Sequence, residues 1–408
     1  MLIQNRPLRD WQADLVRDGG FDLVTERQRP CLVVPDTLFA TGDVMRRFVD
    51  GAASRNAVLV LKESAFGRNT TAVQPGVVRV PEGWRFEAIR YDAGGDEPPV
   101  DVVVDPLEHV QSLAVPSAYT GSDTIELAMP RDPVMTIHHW VHILWATQAA
   151  GAIELRRIPI WKAIFIGIWA FLRCLSLNKW KLLGKLNRMG RHCDIHPTAI
   201  IEGSTIGDGV TIGPFARVLF SRVGDGATIM AGAQVEATTL GERSVVCQQT
   251  VLRGCVLYPE AIGGQHVMQM CVLGRGVVTT LASYSIDLDF EKPIRVPLDG
   301  QMVSTGQRFL GSAFGHGVRV GTGTWMSHGR MIPNGYFVVR DPSDVIQKIP
   351  SDLPAGQPLS NHGGSLAQVD RGAPRLAETA TSSPRVAAGD RLDSLERPKP
   401  PKEIPDPD

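Results

Sequence analysis

The feature that most constrains this chain is a spacing. Between Ile200 and Val235 an aliphatic residue recurs at nearly every sixth position: Ile200, Ile206, Ile212 and Val218, then Val223, Ile229 and Val235. Small or acidic residues lie between them, as in Ile206-Gly-Asp-Gly-Val-Thr-Ile212. A period of six is neither the about 3.6 of a helix nor the about 2 of a half-buried strand. It fits a solenoid with three short faces per coil, each face sending one aliphatic side chain inward. Glycine at the corners accommodates the sharp, positive-φ turns between faces. The repeat therefore predicts a parallel β-helix. After Val235 the phase slips, to Leu240, Val246, Leu252 and Leu257 and then Ile262, which implies turns of five or more residues. From 283 to 308 the repeat stops. The segment Ser283-Tyr-Ser-Ile-Asp-Leu-Asp-Phe-Glu-Lys-Pro293 reads as an excursion, and the coil returns at Phe309 and ends near Val339. Excursions of this length line a cleft or clasp a neighbouring subunit.

The rest of the chain divides around this repeat. Residues 1–150 read as an α/β domain. An amphipathic helix, Leu8 to Val16, ends at Gly19-Gly20. A short strand, Cys31 to Val34, is followed by a helix from Gly42 to Ala53 and by the apolar strand Ala57 to Leu61. That order suggests a parallel sheet. A His- and Trp-rich helix, Ile137 to Ala150, closes the domain. Residues 191–350 hold the β-helix. From 351 to 408 the chain is rich in Pro, Ser, Ala, Gly and charge, which predicts disorder. The net charge of −1 gives no reason to expect a nucleic-acid partner. The six cysteines form no Cys-x-x-Cys pair, so they read as small buried residues in a reducing compartment, and no metal is expected. The first residues lack a basic, then apolar, leader pattern. These features predict a cytoplasmic protein, with the inner face of the membrane as a further location.

Residues 151–190 stand apart. Arg156, Arg157, Lys162, Arg173, Lys179, Lys181, Lys185 and Arg188 face a single acid, Glu154, and the apolar run Ala163 to Leu172 lies among them. Ten apolar residues are too few to span a bilayer, which takes about 20. The segment reads as a basic amphipathic helix over 158–189. It either caps the first coil of the solenoid or lies at a membrane surface, with Trp161, Trp169 and Trp180 at headgroup depth.

The layout resembles bifunctional sugar-1-phosphate nucleotidylyltransferase/acetyltransferases of the hexapeptide-repeat class. Asn5-Arg-Pro-Leu-Arg-Asp-Trp11 looks like the segment that follows that family's glycine-rich nucleotide loop. Leu32-Val-Val-Pro-Asp36 looks like the strand ending in its magnesium-binding aspartate, and His139-Trp140-Val-His-Ile-Leu-Trp-Ala-Thr147 looks like one of its helices. The resemblance implies a nucleotidyltransferase-like α/β domain, a linking helix and a left-handed parallel β-helix assembled as a homotrimer. It also implies acyl or acetyl transfer from acetyl-CoA or an acyl carrier to a nucleotide sugar or another sugar-containing small molecule. The family's phosphate-cradling loop is missing here, and no Gly-x-Gly-x-x-Gly lies near a strand. Without it nucleotidyl transfer loses its main electrostatic stabilisation, so the first domain reads as degenerate.

Acyl transfer on this fold uses a histidine as general base. His316, in Gly-His-Gly just after the excursion, resembles the family's catalytic coil, with Gly317 where an aspartate is often found. His328 is the runner-up. Asp36 and His266 are candidates for substrate binding. His196, before a proline in the first coil, reads as structural. His138 and His142 stand four apart, a spacing that could hold a metal, but no third ligand is visible.

Overall fold

The structure, a computed structural model, describes residues 1–369 apart from 25, 27, 72, 115–123, 265–266 and 354–355. The chain forms two compact units, Met1–Arg340 and Asp341–Asp408.

The repeat folds into a parallel β-solenoid of about eight turns. Among the described residues its three faces carry eight, seven and five strands, nearly all two or three residues long. Register shows what the spacing means. Ile195, Ile212, Ile229 and Val246 stack on one face. Ile201, Val218, Val235 and Leu252 stack on the second, and Ile206, Val223, Leu240 and Leu257 on the third. A coil is thus 17 residues, with two steps of six and one of five. The apparent slip after Val235 is this five-residue step, already present between Val218 and Val223.

Two inward assignments from the sequence change. Ile201, not Ile200, is in register with Val218, and Ile200 is 51% exposed. Gly263, not Ile262, continues the column of Val246. Both are one-residue errors, and in a strand one residue exchanges the inner for the outer face. The stacked aliphatics form one continuous core, each fully buried Val, Ile or Leu contributing about 1.5–3 kcal/mol. At one corner a buried hydroxyl column runs through the coils. Ser204 Oγ accepts from the Ser221 N–H, Ser221 Oγ from Thr238, and Thr238 Oγ1 from Cys255, at 3.1–3.2 Å. Cys255 and Cys271 are buried, unpaired cysteines, with Cys255 filling this small-residue position.

The α/β region differs from its expected topology. Cys31–Val33 does not pair with Ala57–Lys62. The strand Gly83–Asp92 lies between them and is antiparallel to both. Val77–Val80 adds a further antiparallel edge, and only Val100–Val104 pairs parallel with Ala57–Lys62. The sheet is mixed, not parallel, and a nucleotidyltransferase-like fold is not evident in it.

The helix Trp140–Arg156 starts three residues later than the sequence suggests, and it joins this region to the solenoid. Trp140, Val141, Leu144, Trp145, Ala149 and Ile153 are buried in a core shared with Val256, Tyr258 and Val272 of the coils. The excursion enters the same core. Tyr284–Ser285 still pairs in the coil, with Trp325–Met326. The hairpin Arg295–Leu298/Gln301–Ser304 then buries Ile294 and Val296 against the helix, and His139 Nε2 lies 3.0 Å from the Pro297 carbonyl. The excursion clasps the chain's own α/β region.

Residues 158–189 divide in two. The Gly203 N–H donates to the Leu183 carbonyl, and the Asn187 side chain bonds the Ile201 carbonyl and the Ser204 N–H, so the stretch around Leu183 and Asn187 closes the first coil. The helix Ile160–Cys174 does not. Its Trp161, Phe165 and Trp169 are exposed, and Ala170 is its one buried residue.

The solenoid's last strand is Phe337–Val338, short of the boundary at 350. In the second unit, part of the stretch expected to be disordered forms a hairpin, Leu359–His362 with Ser365–Gln368. Gly363 and Gly364 both take positive φ, 60° and 86°, as a two-residue hairpin turn requires. Residues 370–408 lie outside the described set.

Candidate functional site

His316 belongs to a corner column. Where one face turns into the next, a side chain repeatedly accepts a hydrogen bond from the backbone one coil earlier. Asp208 Oδ1 accepts from the Arg191 N–H at 2.6 Å, and Asp225 Oδ1 from Asp208 at 2.8 Å. Past the excursion His316 Nδ1 accepts from Arg275 at 2.8 Å, and Asn334 Oδ1 accepts from the His316 N–H at 2.7 Å. His316 is exposed, as its flanking glycines suggested, and its ring meets Tyr258 edge-on with centroids 5.8 Å apart. With Nδ1 accepting, the neutral imidazole carries its proton on Nε2. The outward nitrogen is then a donor, the wrong polarity for a general base. A ladder acceptor is what this corner needs, and His316 supplies it.

His328 sits at a different corner, between Trp325–Met326 and Met331–Ile332. Its side chain is 23% exposed. The excursion brings Asp289 beside it, with His328 Nε2 3.7 Å from Asp289 Oδ2. The other carboxylate oxygen, Oδ1, accepts the backbone N–H groups of Glu291 and Lys292 at 2.9 and 3.0 Å. Those bonds hold the Asp289 pKa below the usual carboxylate value. Burial pushes neighbouring Asp287 the other way, upward. The geometry thus places a carboxylate near His328, beyond hydrogen-bond distance, and among the described residues His328 Nδ1 is buried without a hydrogen-bond partner, which leaves Nε2 as the nitrogen facing Asp289. Beneath this corner Ser285 Oγ donates to Ser312 Oγ, which donates to the Ser327 carbonyl, both at 2.9 Å. Gly329 is tightly placed, since a Cβ there would lie 2.6 Å from Ile294 and 2.7 Å from the Arg295 carbonyl.

The remaining candidates do not join this site. Asp36 is exposed in the turn after Cys31–Val33, and its carbonyl accepts from Gln12 at 2.6 Å. Among the described residues no three His, Cys, Asp or Glu side chains converge as a metal site would need. His266 lies outside the described residues. His138 and His139 precede the helix Trp140–Arg156, and His142 lies in its first turn. His142 is fully buried, and its Nδ1 accepts the N–H groups of His138 and His139 at 3.1 and 3.2 Å. Burial, reinforced by those two histidines, lowers its pKa to about 3. This histidine caps a helix start and is not free to bind a metal with His138.

Asp289 was not singled out in the sequence. Its signal was the alternation Ile286-Asp-Leu-Asp-Phe290, a strand-like pattern with two acids inside an otherwise unpatterned excursion.

No family model matches this chain, and no curated protein matches it. Among solved structures it is similar to a candidate acetyltransferase from Bacillus cereus. The identity is 15%, over 37% of this chain and 76% of that one, with a TM-score of 0.14.

Proposed function

We propose that this chain is a hexapeptide-repeat acyltransferase with left-handed coils, acting as a homotrimer. It would move an acyl group from a thioester donor, acetyl-CoA or an acyl carrier, to a hydroxyl of a sugar-containing acceptor such as a nucleotide sugar. The observation that carries this reading is the His328–Asp289 pair, formed where the excursion folds back over the coil. A histidine beside a fixed carboxylate can take a proton as the acceptor oxygen attacks the thioester carbon. The new C–O bond forms, the C–S bond breaks, and the leaving thiolate recovers the proton from the imidazolium. Asp289 stabilises that imidazolium while it exists. The exposed Trp325, edge-on to Tyr284 with centroids 5.7 Å apart, offers an aromatic surface on the adjacent strand. Nucleotidyl transfer has less support, because Asp36 stands alone on a mixed sheet.

The test is thiol release from acetyl-CoA or an acyl carrier, with nucleotide sugars as acceptors. His328→Ala should lower the rate by about 10²–10⁴-fold, and Asp289→Asn by less. His316→Ala should leave turnover unchanged and cost only about 1 kcal/mol of stability, the worth of its ladder bond. Full activity in His328→Ala, or no thiol release with either donor class, would remove this reading.

A further inference from the structure

We propose that residues 160–185 seat the protein on an anionic membrane, with the helix Ile160–Cys174 sunk into one leaflet. A helix on a protein surface keeps one apolar stripe inward and polar residues outward. Here Ile160, Trp161, Ile164, Phe165, Ile168, Trp169 and Leu172 fall, at about 100° per residue, within one half of the circumference, each between 48% and 79% exposed, with Lys162 and Arg173 together on the other half. An apolar face this broad, bordered by cations and left uncovered by the chain's own core, has the form of a helix that lies in a membrane interface. Leu175 and Leu177, 78% and 84% exposed, continue the apolar surface through the turn.

Length limits how deep this can go. Fifteen residues make a helix of about 22 Å, short of the about 30 Å hydrocarbon core. No helix among the described residues is long and apolar enough to cross a membrane. A helix lying along one leaflet meets both facts, and the chain turns after it, at Leu175 in left-handed conformation and then into Lys179–Leu183, capped by Asn178.

Charge identifies the lipid. No Asp or Glu occurs between Glu154 and Asp194, whereas Lys162, Arg173, Lys179, Lys181 and Lys185 all do. Three of these cations lie over indole rings: Lys162 on Trp161 at 5.3 Å, Arg173 on Trp169 at 4.5 Å and Lys179 on Trp180 at 4.8 Å. Amphipathic indoles with cations beside them suit the boundary between headgroups and acyl chains, and anionic headgroups complement the basic residues.

The experiment is sedimentation of the full chain with vesicles of equal parts phosphatidylcholine and phosphatidylglycerol. Binding should weaken with salt and on phosphatidylcholine alone. Lys179→Glu, Lys181→Glu and Lys185→Glu together should weaken it roughly 100-fold, at about fivefold per lysine. Phe165→Glu with Ile168→Glu should abolish it. Both sites are exposed, so melting should match the wild type. Quenching of wild-type tryptophan emission by brominated acyl chains reads insertion without any substitution. Absence of both vesicle binding and quenching overturns the proposal. So does binding unchanged by either variant, or lipid-free self-association lost in Phe165→Glu/Ile168→Glu, which would make a second copy the occupant.

Discussion

Two consecutive helices are both largely apolar and have opposite fates. Trp140–Arg156 and Ile160–Cys174 are both apolar for most of their length and both carry tryptophans. The first is buried from several sides, by the sheet region, the coils and the excursion hairpin. The second buries one alanine. Apolar content alone therefore does not say whether a helix belongs to a core. What separates them is the company each keeps. The first is flanked by elements with matching apolar surfaces, whereas the second is flanked by cations and a turn.

The contrast is sharpest in stability. Leu144 is fully buried, and Leu144→Ala should cost about 2–5 kcal/mol in chemical denaturation. Phe165, a larger side chain, is 70% exposed, and Phe165→Ala should fall within about 0.5 kcal/mol of wild type. Comparable losses at the two sites would mean that the second helix packs on protein after all.

Acid should act on the first helix and spare the second. His142 titrates at about 3 in the folded chain against 6.5 ordinarily. Unfolded chains bind its proton below about pH 6.5 and folded ones do not, so its contribution is complete above that value and is lost as pH falls toward 3. Between pH 7 and pH 5 the loss should be on the order of 2 kcal/mol. His142→Asn, which keeps an acceptor for the two N–H groups, should flatten that slope. A slope unchanged in the variant would trace the acid sensitivity elsewhere. The helix Ile160–Cys174 contains no His, Asp or Glu.

The smallest effect lies in the glycines. A Cβ on Gly167 meets nothing within 4 Å, so Gly167→Ala should stabilise by about 0.5–1 kcal/mol. A Cβ on Gly151 comes to 3.0 Å of Gln4 Nε2. There the helical gain should shrink or vanish, and an equal gain at both would show that Gln4 moves freely.

Local periodicity made the solenoid readable from sequence. It did not give the coil length, because steps of six and five differ only in phase, and Ile200 beside Ile201 offers two aliphatics for one inward position. The sheet order near the start was hidden for a different reason. Pairing of Gly83–Asp92 between Cys31–Val33 and Ala57–Lys62 is non-local, and no spacing encodes it. The ladder role of His316 had its own signal in the sequence. Gly207-Asp-Gly, Gly224-Asp-Gly, Gly274-Arg-Gly and Gly315-His-Gly recur at one corner, so the histidine is a further member of a turn column. His328 gained weight only once the fold brought Asp289 to it from 39 positions away.

Stacked coils of one length are in principle interchangeable, so a solenoid can gain or lose a coil without offending its own interior. Three hydrogen bonds remove that freedom here. Arg222 Nη1 reaches the Gln4 carbonyl, the Leu240 carbonyl takes Asn5 Nδ2, and Tyr258 Oη reaches the Leu2 carbonyl, at 3.2, 2.6 and 3.0 Å. Their coil positions are 18 residues apart, one on each of three successive turns. The opening hairpin of the chain therefore works as a calliper closed on three rungs. Duplication or excision of a coil between Arg222 and Tyr258 would leave the jaws at the wrong width, whereas the same change nearer residue 200 would pass unmeasured.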